Sequence, residues 1–239
     1  LTPFPTLAPE AAHALVTELL QTNGGCRLPC WWGFTPGQTS WATAGPYLAT
    51  FASGILRHVD PLIYLVHFIG LEVTVKGYAI EQEYVVDGES GLIVSMKVAA
   101  SNKTDYSIPA VLSAYGPPSE IWLYAAADSP AVTQPFYLDL YYGHEGFVVK
   151  YYENPRRPTD PLQGCFHLTE ERPLLWLWSP ELSLTYLEAA EYHPLWLSSP
   201  EQSRPLAEVT DLDIATFYEI FKQPDNTHCL ETPAAFWTW

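Results

Sequence analysis

Between residues 63 and 152 the chain alternates short runs rich in Val, Ile and Tyr with clusters of turn residues, and the connections are too short for parallel crossovers. Gly70–Val75, Tyr78–Val86 and Leu92–Ala99 predict strands, the last two joined across Asp87-Gly88-Glu89-Ser90-Gly91 as an antiparallel hairpin. Glu120–Ala126, Pro135–Tyr142 and Phe147–Tyr152 predict three more, with Gly143-His144-Glu145-Gly146 turning the last pair. Beyond them, Cys165–Glu170 and Leu174–Trp178 also read as strands.

Helical patterns flank this core. Pro9-Glu10 opens a helix with Leu15, Val16, Leu19 and Leu20 on one face, ended by Asn23-Gly24-Gly25. Thr39 is the expected N-cap of a second helix carrying Trp41, Ala44, Leu48 and Phe51, which Gly45-Pro46 should kink or stop. Ser107 caps a short helix over 108–115 that Gly116-Pro117-Pro118 terminates, and Thr210 with Asp213 starts a closing helix with Ile214, Phe217, Tyr218 and Phe221 at i, i+3, i+4 and i+7. The expected class is α+β: an antiparallel sheet with helices packed on one face, plus a C-terminal strand-and-helix extension. A single domain over 1–239 is the expected organisation. The alternative is a 1–153 core and a 154–239 lobe divided at the Pro-rich stretch from Asn154 to Pro161.

Charge narrows the partners. The 239 residues hold 27 acidic and 11 basic side chains, a net charge of −16, so clustered cations for nucleic acid or anionic membrane are missing. The longest apolar run, Leu62 to Leu71, is too short to span a bilayer. The opening Leu1-Thr2-Pro3-Phe4-Pro5 reads as a trimmed product whose targeting signal or N-terminal lipid anchor is gone.

Four cysteines invite two pairs, Cys26 with Cys30 around Arg27-Leu28-Pro29, and Cys165 with Cys229. Such bonds persist in an oxidising compartment, which points to a secreted or cell-surface protein. The rival is a tetrahedral metal site of Cys165, His167, His228 and Cys229, although adjacent His and Cys ligands depart from the usual spacing. Asn102-Lys103-Thr104 fits a glycosylation acceptor pattern.

The stretch Cys26-Arg27-Leu28-Pro29-Cys30-Trp31-Trp32-Gly33, followed by Pro36-Gly37-Gln38-Thr39-Ser40-Trp41 and later by Tyr115-Gly116-Pro117-Pro118, resembles a group of uncharacterised bacterial envelope proteins, often predicted lipoproteins. Cys229-Leu230-Glu231-Thr232-Pro233 is similar as well, and the resemblance is densest over 23–50 and 107–152. It implies an envelope location and no established activity. The chain is also similar, more distantly, to small outer-membrane assembly lipoproteins and β-lactamase-inhibitor-like folds, which pack helices on an antiparallel sheet and serve as binding modules. Its length and its C-terminal segment depart from that pattern.

Motifs for nucleophilic serine, phosphate-cradling loops, dinucleotide binding and zinc proteolysis are missing from the sequence. Glu81 and Glu83 share a strand face but read as a solvated sheet surface, and His58-Val59-Asp60 as a turn. The aromatic content is unusual at 14%. Trp31, Trp32, Trp176, Trp178, Trp237 and Trp239 are the candidate binding residues, with core packing the competing role; Trp41 belongs to the core. The expected function is a non-enzymatic exported protein-binding or structural module, with a protein partner or self-assembly. A carbohydrate-binding module using aromatic platforms is the alternative, a glycosidase-like hydrolase the third reading, and no cofactor is expected.

Overall fold

The computed structural model describes residues 6–52, 54–59, 66–75, 78–99, 106–125, 135–153, 161–166, 173–192, 202–224 and 228–237. In chain order its main elements are α1 (Pro9–Thr22), α2 (Trp41–Leu48), β1 (Gly54–Val59), β2 (Val66–Val75), β3 (Tyr78–Asp87), β4 (Ile93–Ala99), α3 (Ile108–Tyr115), β5 (Glu120–Ala125), β6 (Phe136–Tyr142), β7 (Phe147–Glu153), β8 (Leu162–Phe166), β9 (Leu174–Trp178), α4 (Tyr186–Tyr192), β10 (Arg204–Pro205), α5 (Leu206–Val209), α6 (Ile214–Phe221) and β11 (His228–Thr232). The class is α+β, as the alternation of two-residue and helical periods requires. Two compact units share the chain: 1–104 with 145–147 and 174–182, and 105–144 with 148–173 and 183–239.

In the first unit β1, β2, β3, β4 and β9 lie side by side, every pair antiparallel. The β3–β4 hairpin forms where the turn residues place it. β1 was not legible, since Arg57 and His58 interrupt any apolar alternation. β9 does not belong to a C-terminal extension. It pairs with β4, and its Leu-Leu-Trp-Leu-Trp sequence, apolar on both faces, suits an interior strand buried from Leu175 to Trp178.

α1 buries Val16, Leu19 and Leu20 and ends on Asn23 in the left-handed conformation. The cap of α2 is Ser40 rather than Thr39, whose hydroxyl instead accepts from the Thr35 N–H at 2.9 Å. α2 does not stop at Gly45-Pro46 but runs on to Leu48. A side chain at Gly45 would start 2.8 Å from the indole of Trp41, so glycine there is the space that indole fills.

The second unit holds β7, β6, β5 and β10 as neighbours, and a separate pair of β8 with β11 in which Cys165 faces Cys229. α6 starts at Ile214 as expected, but its cap is Asp213 alone, whose carboxylate accepts from the Thr216 N–H at 2.7 Å, while the Thr210 hydroxyl donates to the Leu206 carbonyl at 2.8 Å. Residues 167–170, the second half of one expected strand, lie outside the described residues.

The 143–146 connection between β6 and β7 depends on Gly146. Its φ of +78° is a left-handed value, and a Cβ there would lie 2.5 Å from the Trp178 carbonyl oxygen. Gly146→Ala combines that backbone cost with a clash against main chain, and is expected to lose about 2–4 kcal/mol. Urea denaturation midpoints of the two proteins measure it.

Candidate functional site

Register arranges the site. Glu120 pairs with Tyr141, Trp122 with Asp139, and Tyr124 with Tyr137 across β5 and β6. Side chains two apart share a sheet face, so Trp122 and Tyr124 stand on the face of Tyr137, Asp139 and Tyr141. Lys150 and Tyr152 of β7 complete the rows, Lys150 against Asp139 and Tyr152 against Tyr137. The opposite face, with Ile121, Leu123, Leu138, Leu140 and Val149, is buried core.

The middle row is sealed. Lys150 Nζ lies 3.0 Å from Asp139 Oδ2, and the two residues are 1% and 2% exposed. Tyr186 of α4 covers them: its ring stacks on Trp122 at 4.4 Å and 9°, and its hydroxyl donates to Asp139 Oδ2 at 2.7 Å. Ser203 Oγ stands 3.4 Å from the same hydroxyl. Beside this cover the Tyr141 hydroxyl donates to the Leu184 carbonyl. Burial lowers the pKa of Lys150 below the ordinary lysine value, against the opposing pull of Asp139.

A local signal fixes α4. Thr185 and Glu188 form a reciprocal capping box: the Glu188 carboxylate accepts from the Thr185 N–H at 2.8 Å, and the Thr185 hydroxyl accepts from the Glu188 N–H at 3.3 Å. Tyr186 is thereby held at the first helical position, over Asp139.

The outer row is more open. Tyr124 and Tyr137 have ring centroids 5.6 Å apart, and Tyr137 and Tyr152 4.9 Å apart, both pairs tilted. Tyr152 is 44% exposed and the other two are half-buried. Lys150 Nζ sits 5.3 Å from the Tyr137 centroid, so the strip's middle ring rests on the buried Lys150 side chain. Burial, helped by Tyr152, Tyr124 and Asp139, pushes the Tyr137 phenol up to about 12. Trp122 also borders a cavity of about 130 Å³, lined with it by Glu120, Pro205, Leu206 and Ile214.

The raised phenol has a pH consequence. Tyr137 stays neutral in the folded chain while the unfolded chain begins to ionise near 10.0, so its contribution is fully present below that pH and is lost as pH rises toward about 12. Stability measured by denaturant titration at stepped pH is expected to fall across this window, with a shallower fall in Tyr137→Phe.

The tryptophans have a different place from the one a binding role requires. Trp31 and Trp32 are buried and stacked at 5.6 Å. Trp176, Trp178 and Trp237 are fully buried, and the Trp237 indole N–H donates to the Thr232 hydroxyl at 3.1 Å. These five are packing surfaces, because large aromatic rings remove the most area from water. Trp239 lies outside the described residues. The tyrosine face was missed in favour of them, although Asp139, the single charge of β6, and Lys150, the one charge of β7 before its terminal Glu153, were the available signal.

Cys26 is bonded to Cys30 and Cys165 to Cys229. The alternative metal set loses its two thiolates to that second bond; His167 lies outside the described residues, and among them no cluster of three or more metal-ligating side chains occurs. Asn23 closes the smaller ring from outside it. Its Nδ2 donates to the Cys26 and Cys30 carbonyls at 3.0 and 2.8 Å, and its Oδ1 accepts from the Trp32 N–H at 2.9 Å. Among the described residues no helix is long and apolar enough to cross a membrane. Comparison with known protein families, curated proteins and solved structures finds no match.

Proposed function

We propose that this chain is an exported or cell-surface, non-enzymatic module that binds a protein partner through Tyr124, Tyr137 and Tyr152. The tyrosine strip is the observation that carries the reading. Tyrosines on rigid strands offer large amphipathic area at low entropic cost, and the strip is held from beneath by Lys150. Two disulfides support an oxidising compartment, and the Cys26 to Trp41 stretch supports kinship with bacterial envelope proteins. With a net charge of −16, the chain suits a partner whose contact surface is basic.

A second reading, binding of a glycan, is favoured by the same strip, since neighbouring phenol rings present both an apolar face and hydroxyls to a sugar. One experiment separates the two. The immobilised chain is challenged with envelope extract and with a glycan array, alongside Tyr124→Ala and Tyr152→Ala. Each substitution is expected to weaken protein capture roughly tenfold, the effect of about 1.4 kcal/mol at a contact residue. Capture indifferent to both substitutions overturns the reading; glycan binding abolished by them, with no protein retained, replaces it with the second.

A further inference from the structure

We propose that Asp139 and Lys150 are a modification site, at which Lys150 Nζ condenses with the Asp139 side-chain carboxyl to form an amide that joins β6 to β7. The inference concerns the sealed middle row and stands independently of the partner.

Geometry comes first. The amine lies 3.0 Å from one carboxyl oxygen, and both groups are held on neighbouring strands almost completely out of water. An amine and an acid fixed in contact react as one molecule, and the effective concentration gained in that way is the largest single advantage such a pair can have. Excluding water also favours the condensed product, because the reverse reaction needs a water at the carbonyl carbon.

Protonation comes second. The nucleophile is the neutral amine and the electrophile the neutral acid, and an apolar, aromatic enclosure disfavours the charged form of the amine. Burial lowers the affinity of Lys150 for its proton. Asp139 Oδ1 has no hydrogen-bond partner among the described residues, so the carboxyl is held from the Oδ2 side alone.

The proton path comes third. The Tyr186 hydroxyl donates to Oδ2, with Ser203 behind it. The Nζ–Cγ bond forms, the Cγ–Oδ2 bond breaks, and Oδ2 leaves as water carrying the acid proton and one amine proton. Tyr186 passes a proton to the departing oxygen and recovers one from the nitrogen, so the phenol is unchanged.

Mass tests this directly. The full chain, with its disulfides reduced, is expected to weigh one water less than its sequence. Cleavage after Glu120, Glu145 and Glu153 is expected to release 121–145 and 146–153 as one branched fragment, since Asp139 and Lys150 lie on opposite sides of Glu145. Lys150→Arg is expected to have its full sequence mass. A reduced native chain at full mass, the two fragments released separately, or the same loss of water in Lys150→Arg each overturns the proposal.

Discussion

Removing the Cys165–Cys229 bond by Cys165→Ser with Cys229→Ser is expected to lower stability by about 4 kcal/mol, twice the roughly 2 kcal/mol expected for Cys26→Ser with Cys30→Ser. The difference follows from loop length. The first bond closes a sequence separation of 64 and the second a separation of 4, and the entropy denied to the unfolded chain grows with the logarithm of the loop. Cys165 and Cys229 face one another in the β8–β11 register, so the bond joins strands that are already paired. Paired substitutions avoid leaving a free thiol. Guanidinium midpoints with the intercept at zero denaturant give both numbers, and equal losses from the two pairs contradict the argument.

Lys150→Met is expected to cost about 3–5 kcal/mol, whereas Lys222→Met costs under about 1 kcal/mol. Both lysines face a carboxylate, at 3.0 Å from Asp139 and 2.7 Å from Glu219. Water decides between them. Glu219 is mostly exposed and is resolvated when its partner goes. Asp139, under Tyr186, is left with a buried carboxylate and one hydroxyl donor among the described residues, whichever form the native pair takes. The comparison requires only denaturation midpoints at neutral pH; a small loss at Lys150 would mean that water reaches Asp139.

The sheet was largely readable because two-residue alternation and Gly-rich turns are local signals. β3, β4, β6 and β7 lie within a residue or two of where those signals put them. The site was not read, for reasons that differ by residue. Asp139 and Lys150 follow from counting: a four-residue turn over 143–146 sets 142 against 147, and hence 139 against 150. That count has meaning only once the one charge of β6 and the mid-strand charge of β7 are recognised as mutual partners. Tyr186 was signalled by Thr185 and Glu188 three residues apart, a helix start that the surrounding Pro and Ser residues obscured. The tryptophans misled because abundance says nothing of which ring faces outward. That depends on long-range packing, and the strip that carries the exposed Tyr152 is built of tyrosine.

The Asn23 clamp makes the smaller sulfur ring redundant in one respect. One amide side chain grips the carbonyls of both cysteines and the main chain of Trp32, so the loop's shape is written twice, once in covalent bonds and once in hydrogen bonds. A reductant that opens Cys26–Cys30 is therefore expected to leave the paired indoles seated, where a segment tethered by sulfur alone would be released.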